Sequence, residues 1–336
     1  MQAIGGAQIA LGGDISSAAS NPAGLGFFNR SVFVATPSLD FINTDTRYGL
    51  IFNDGFEGQG SEESFKNNFN FANIGAVFNF NKGQFTNDQF KGGSLAISLN
   101  RRSSYHLNRT YEGANDFNSL IDALAIDAGS TSPALFEDRF DEVGNVEFYD
   151  QAAYFSYLIS PDFDDEGNLN GYFADFDGVP IQREVIEERG SHYQFNIAWG
   201  GNYDDRIYFG GGMGTQILNY QITRSYQESS FEVPPNFSPD PRLNAVFVDD
   251  EIAVRGIGVN FNAGVIFRPI QFLTVGASYT SPSFMSIDEE SFFDFDVDWK
   301  EGALFDDGTN VIDLDAEERL YQSAINVNEY RLRSPG

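Results

Sequence analysis

Apolar residues recur at every second position through much of this chain. Tyr193, Phe195, Ile197 and Trp199 alternate with His192, Gln194, Asn196 and Gly200. Ile257, Val259, Phe261, Ala263, Val265 and Phe267 alternate with Gly256, Gly258, Asn260, Asn262 and Gly264. Leu273, Val275, Ala277 and Tyr279 alternate with Thr274, Gly276, Ser278 and Thr280. A period of two puts successive side chains on opposite faces of an extended strand. A soluble sandwich would carry Lys, Glu, Arg and Thr on its outward face. Here the second face is mostly Gly, Asn, Ser and Thr. Apolar-out and small-polar-in is the pattern of a transmembrane antiparallel β-barrel, so the sequence predicts an all-β barrel of that kind.

The alternation predicts about eight strands, over 31–52, 69–81, 93–111, 191–201, 206–226, 251–267, 272–299 and 321–332. The seventh is interrupted near Pro282, and the switch of the apolar face at Asn73-Ile74 predicts a bulge. Short joints at 202–205 and 268–271, and a somewhat longer one at 81–91, alternate with long connections at 53–68, 113–190, 230–250 and 300–320. Short turns at one end and long loops at the other are expected of outer-membrane barrels. The longest connection has helical spacing over 119–128 and, rich in aromatics, over 148–159 before Pro161.

Composition narrows the function classes. The formal charge of -29 excludes the basic footprint that nucleic acid requires. With 41% hydrophobic and 15% aromatic residues, the chain is not composed like a disordered one. It has no cysteine, which removes disulfides and thiolate metal sites. No run approaches ~18 apolar residues, so no helix is expected to cross a membrane. Met1 is not followed by a basic region and an apolar core. The last strand ends on the turn Ser334-Pro335-Gly336. The N-terminus is therefore expected to be that of a cytoplasmic protein or of a mature or truncated chain, and the C-terminal end favours truncation.

The N-terminal stretch is small-residued, polar and Gly-rich. It contains Gly5-Gly6-Ala7, Leu11-Gly12-Gly13-Asp14, Ser16-Ser17-Ala18 and Asn21-Pro22-Ala23-Gly24-Leu25. These residues resemble the hatch of the FadL-type outer-membrane transporters of long-chain fatty acids, in the form found in Bacteroidetes-type bacteria. Tyr279-Thr280-Ser281-Pro282 also resembles a feature of that family. The resemblance covers roughly the first thirty residues. It implies a fourteen-stranded barrel of which about eight strands are present here. It also implies that residues 1–30 plug the lumen, with 31–336 forming a partial barrel and its loops. Gly12, Gly13, Asp14, Asn21, Pro22 and Ala23 would form the gate. An open half-barrel would leave two unpaired edges in lipid, so this polypeptide alone is not expected to make a pore.

A fatty-acid carboxylate needs a cation at the end of an apolar slot. Alternation places Arg101 on the apolar face and Arg102 on the polar face, which makes Arg102 the ligand candidate. The alternative is that Arg101, Arg102, Arg109 and Arg224 all lie at the headgroup level. Tyr154, Phe155 and Tyr157 on the predicted helix would form a capture groove, or would simply pack loop against loop. His106 and His192 fall on polar faces with no nucleophile motif, so no catalytic residue is assigned. Asp162, Asp164, Asp165 and Glu166, and the alternating Asp294, Asp296 and Asp298, match no EF-hand spacing, so no metal site is assigned.

The expected function is passive uptake of long-chain fatty acids or other hydrophobic compounds across a Gram-negative outer membrane, without enzyme activity or cofactor. The expected partners are those small molecules and outer-membrane lipid. A second reading is a barrel that docks secretion-system proteins. A third is a soluble extracellular sandwich or adhesin, which requires the apolar faces to pack on each other.

Overall fold

The computed structural model describes residues 9–52, 55–82, 86–115, 118–137, 148–174, 179–232, 242–270, 272–306, 311–314 and 321–334. The triplet Gly5-Gly6-Ala7 lies outside them. The chain opens with α1 (Ser17–Ser20) and a 3-10 helix (Pro22–Phe27). Long strands follow: β1 (Val32–Phe52), β2 (Gly55–Asn79), β3 (Phe90–Ser104) and β4 (Leu107–Ala114). Three short helices come next, α2 (Leu120–Ala128), α3 (Pro133–Glu137) and α4 (Phe148–Phe155), and then the hairpin β5 (Ile159–Phe163) and β6 (Leu169–Ala174). The sheet resumes with β7 (Val179–Tyr203), β8 (Ile207–Glu232), β9 (Leu243–Ile270), β10 (Leu273–Thr280) and β11 (Ser283–Trp299). A hairpin of β12 (Leu304–Asp306) and β13 (Val311–Asp313) precedes β14 (Tyr321–Ser334).

Ten strands form one sheet in the order β1-β2-β3-β7-β8-β9-β11-β14, with β4 paired to β7 and β10 to β9. Four strands, β2, β7, β8 and β9, are longer than their hydrophobic pattern predicts, β2 and β7 most of all. Residues 55–64 of β2 have no apolar period, yet β1 holds them in register from Val32 opposite Val77 to Phe52 opposite Gly55. Strand β7 begins at Val179 because Gln182 and Glu184, though polar, are buried on its inner face. In both cases the partner strand supplies the hydrogen bonds that alternation alone does not announce.

The two faces differ in chemistry. One exposes a continuous apolar row across four strands: Ile97, Ile197, Met213 and Phe261. The other carries Gly, Asn and Gln, and it bears two covers. Residues 9–28 pack on it against β7, β8 and β9. The helices α2 and α4 cap its far end. The core of this cap, Ile121 and Leu124 of α2, Phe136 of α3 and Leu158 just after α4, packs on Val246, Phe295 and Trp299. The β7–β8 pairing runs without a shift from Ile181 to Tyr203, so Gly200 and Glu184 share a face. Gly210, under the N-terminal segment, and Glu228, under the cap, stand at the two ends of β8, about 60 Å apart along the strand.

The expected transmembrane barrel is corrected here. The pairing path runs from β1 to β14, and these two strands do not pair with each other among the described residues. The sheet is open, with an edge at each end. It encloses no lumen, so residues 9–28 cover a sheet face and do not plug a pore. Passive uptake through a channel and docking by a secretion barrel both required closure, as did multi-pass residence in the outer membrane; none of them is supported by this topology. No helix among the described residues is long and apolar enough to cross a membrane.

Candidate functional site

The N-terminal segment is fitted to the sheet by removal of side chains. A Cβ on Gly200 would stand 2.2 Å from the Pro22 carbonyl oxygen, and one on Gly26 would stand 2.5 Å from the Gly201 carbonyl oxygen. Within the segment, a Cβ on Gly12 would enter the Phe27 ring, and Gly13 has φ +81, which favours glycine. Asp14 accepts from the Ser16 amide at 2.8 Å. Asn21 is buried. Its Oδ1 accepts from the Ala23 amide at 3.1 Å and caps the 3-10 helix, while its Nδ2 donates to the Ile9 carbonyl at 2.7 Å. Pro22 occupies the first helical position, where its missing N–H costs nothing. The sheet answers through Asn262, whose Nδ2 donates to the Ala18 and Ala19 carbonyls at 2.9 and 3.1 Å. Phe27 stacks on Tyr208 at 3.8 Å. All six gate candidates thus lie in one packed segment.

A second site lies under the helical cap. Row by row, Tyr111, Glu184, Tyr226 and Val248 stand side by side across β4, β7, β8 and β9. Arg224 and Asp250 form the next inner-face pair. With Tyr48 from β1, Leu120, Ala123 and Leu124 from α2, and Tyr149 from α4, these residues line a cavity of about 450 Å³. That volume falls in the range of small-molecule sites.

Hydrogen bonds fix the cavity's polar groups. Glu184 accepts from Arg224 through Nε and a terminal nitrogen, both at 2.8 Å, and from the Tyr111 hydroxyl. Glu228, fully buried between β8 and the first turn of α2, accepts from Ser119 Oγ at 2.7 Å, the Leu120 amide at 2.6 Å, Gln182 Nε2 at 2.6 Å and the Tyr226 hydroxyl at 2.7 Å. These bonds tie the first turn of α2 to the sheet, where Ser119 also forms a capping box with Asp122. Asp250 accepts from the Tyr149 hydroxyl. Burial pushes the Asp250 carboxyl up to about 6. Burial and the adjacent Glu228 push the Tyr226 hydroxyl up; burial and the bond to Glu184 do the same to Tyr111.

The ligand candidates read from the sequence are not at this cavity. The β3–β7 register shifts between Arg101 and Ser103. As a result Arg102 is exposed, and Arg101 reaches the polar face, where it pairs with Asp40 at 2.8 Å. Tyr154 stacks on Phe136 at 5.1 Å, Phe155 packs edge-on to Tyr154, and Tyr157 lies against Phe305 at 4.9 Å. They build the cap's own core, and Tyr149 is the α4 residue that faces the cavity. Of the four arginines considered, Arg224 is the one that lines it. No group of acidic or histidine side chains suited to a metal ion occurs among the described residues.

Sequence reasoning missed Glu184, Glu228 and Asp250. Glu184 sits in a stretch read as loop, and Glu228 and Asp250 lie just past the predicted strand ends. A polar residue at every second position, Gln182 then Glu184, was the available signal. No protein family, curated protein or solved structure matches the chain.

Proposed function

We propose that the chain is a non-catalytic binding protein that holds a hydrophobic small molecule with a polar head in the cavity between the sheet and its helical cap. One observation carries this reading: Leu120, Leu124 and Val248 give the cavity an apolar wall, while Glu184, Arg224 and Asp250 converge at its polar end. The resemblance of the N-terminal segment to the hatch of FadL-type proteins supports hydrophobic compounds as the ligand class. The test is fluorescence titration of the purified chain with the neutral probe N-phenylnaphthylamine. A saturable signal is expected, and Ala123→Trp, which fills the cavity from its rim, should abolish it. An Ala123→Trp protein that is folded and still saturates with the same midpoint would place the binding elsewhere and sink the proposal.

A second partner follows from the opposite face. On β9 the exposed apolar residues run from Ile257 to Phe267, roughly 33 Å of strand, and give way to Arg255, Glu251 and Asp249 beyond. Exposed apolar surface of this extent needs an apolar cover. Lipid acyl chains are the proposed cover, because no charged side chain interrupts the row Ile97, Ile197, Met213 and Phe261. Flotation with phosphatidylcholine vesicles tests it. The chain should float, and the Ile197→Glu/Phe261→Glu variant should stay with the soluble fraction. Equal behaviour of the two proteins would refute lipid as the cover.

A further inference from the structure

We infer that the cavity under the cap selects an amphiphile whose head is a cation, an alkylammonium in chemical class, over one whose head is a carboxylate. The inference rests on the binding reading above and deepens it.

The charges at the site set the preference. Arg224 is the one cation among the described residues that line the cavity, and it is already committed. Two of its nitrogens lie 2.8 Å from the same Glu184 oxygen. Glu228 stands beside the cavity under the first turn of α2, enclosed by four donors that are all neutral groups. Asp250 accepts from the Tyr149 hydroxyl, again a neutral donor. Burial raises its carboxyl, and the guanidinium of its cross-strand neighbour Arg224 is turned to Glu184. Two carboxylates on the lining, Glu184 and Asp250, therefore share one guanidinium, with Glu228 buried just beyond them. An incoming carboxylate would meet like charge and find no free cation, whereas an incoming ammonium would supply the counter-charge that Asp250 lacks.

The walls fit the same head group. Tyr48 and Tyr111 stack at 5.2 Å, and with Tyr149 and Tyr226 they put four aromatic rings on the cavity lining. Ring faces attract ammonium groups, most strongly when desolvated. Leu120, Leu124 and Val248 provide the surface for an alkyl tail. The titratable groups that face Asp250 are Tyr149 from α4 and, on the sheet floor, Arg224, Glu184 and Tyr226; of these, only Arg224 bears positive charge, and Glu184 holds it.

The experiment is displacement of bound N-phenylnaphthylamine from the full chain by dodecyltrimethylammonium and, separately, by dodecanoate, each below its micelle concentration. Salt of about 0.3 M suppresses general attraction of cations to this acidic chain. Dodecyltrimethylammonium should displace the probe at a concentration ~10-fold or more below that of dodecanoate. In Asp250→Asn this ratio should fall several-fold. If the probe binds and dodecanoate displaces it as well as the cation does, the inference is overturned and the binding reading stands. If the cation preference is unchanged in Asp250→Asn, it comes from the chain's overall charge and the inference is likewise overturned. If the probe does not bind at all, the binding reading itself fails and this inference with it.

Discussion

A Cβ on Gly264 would stand 1.9 Å from Oδ1 of Asn21, a residue that precedes every strand of the sheet. The segment and the strand are therefore shaped for each other at this point. Gly264→Ala must push Asn21 away from the Ala23 amide or from the Ile9 carbonyl. The expected cost is ~1–3 kcal/mol, as for overpacking elsewhere. Hydrogen exchange at the Gly13 and Gly24 amides, which bond to the Gly24 and Asn21 carbonyls, should accelerate. Gly211→Ala is the control. The nearest atom to its added Cβ is 3.6 Å away, so exchange there should change little.

The same contact predicts coupling. Asn21→Ser keeps a capping oxygen but shortens the side chain and loses the donor to Ile9. Alone it should cost about 1–2 kcal/mol. Combined with Gly264→Ala it removes the clash that the alanine creates. The double variant should then be more stable than the sum of the single effects by ~0.5 kcal/mol or more. Denaturant unfolding of the four proteins measures this; strict additivity would show that Asn21 does not sit over Gly264.

Asp250 gives the cap a pH dependence of definite sign. Its carboxyl titrates near 6 when folded, against the ordinary 3.8. Protonation therefore favours the folded state. That contribution is fully present below the unfolded value and is lost as pH rises through the folded one. Its size is at most about 2–3 kcal/mol, and less to the extent that water reaches the partly exposed carboxyl. Asp40, held low mainly by its bond to Arg101, acts in the opposite direction and loses its contribution on acidification. The informative quantity is therefore the difference between the native chain and Asp250→Asn. In thermal unfolding from about pH 4 to pH 7 the variant should gain on the native chain as pH rises. A constant difference would mean that Asp250 is not buried as described.

Much of the sheet is legible in the residues themselves. The alternation from Ile257 to Phe267 places each side chain on its face, because a strand admits no other arrangement. The stop at Ser281-Pro282 separates β10 from β11 as the proline requires. Closure is a different kind of property. It depends on whether β1 meets β14, a pairing between distant strands that no local pattern encodes. The faces alone suit a barrel wall and an open sheet equally well. Arg102 shows a smaller version of the same limit: one register shift after Arg101 exchanges the faces of two neighbours. The cavity was the least legible part. Its carboxylates come from buried polar rows whose partners lie on other strands and on the cap, so composition reads them as solvated acid.

Glu228 offers the sharpest test of how the cap is held. It is fully buried, and its two oxygens receive Ser119 Oγ, the Leu120 amide, Gln182 Nε2 and the Tyr226 hydroxyl. Glu228→Ala leaves four donors, two buried and two half-buried, without their acceptor and opens a void beneath α2. Unsatisfied groups of this kind cost ~1–3 kcal/mol each, although water entering the void will recover part of the loss. The expected total is about 3–5 kcal/mol, close to the effect of breaking a buried charged network. Glu228→Gln keeps one acceptor oxygen and the volume, but sets an amide N–H against one of the donors; it should cost roughly half as much. The loss should be local as well as global. Amides of Leu120–Ala128 should exchange faster in Glu228→Ala, while those of residues 23–27, at the other end of β8, should keep their rates relative to global unfolding. If both segments loosened together, the two covers would behave as one cooperative unit, and Glu228 would not be the local anchor of α2.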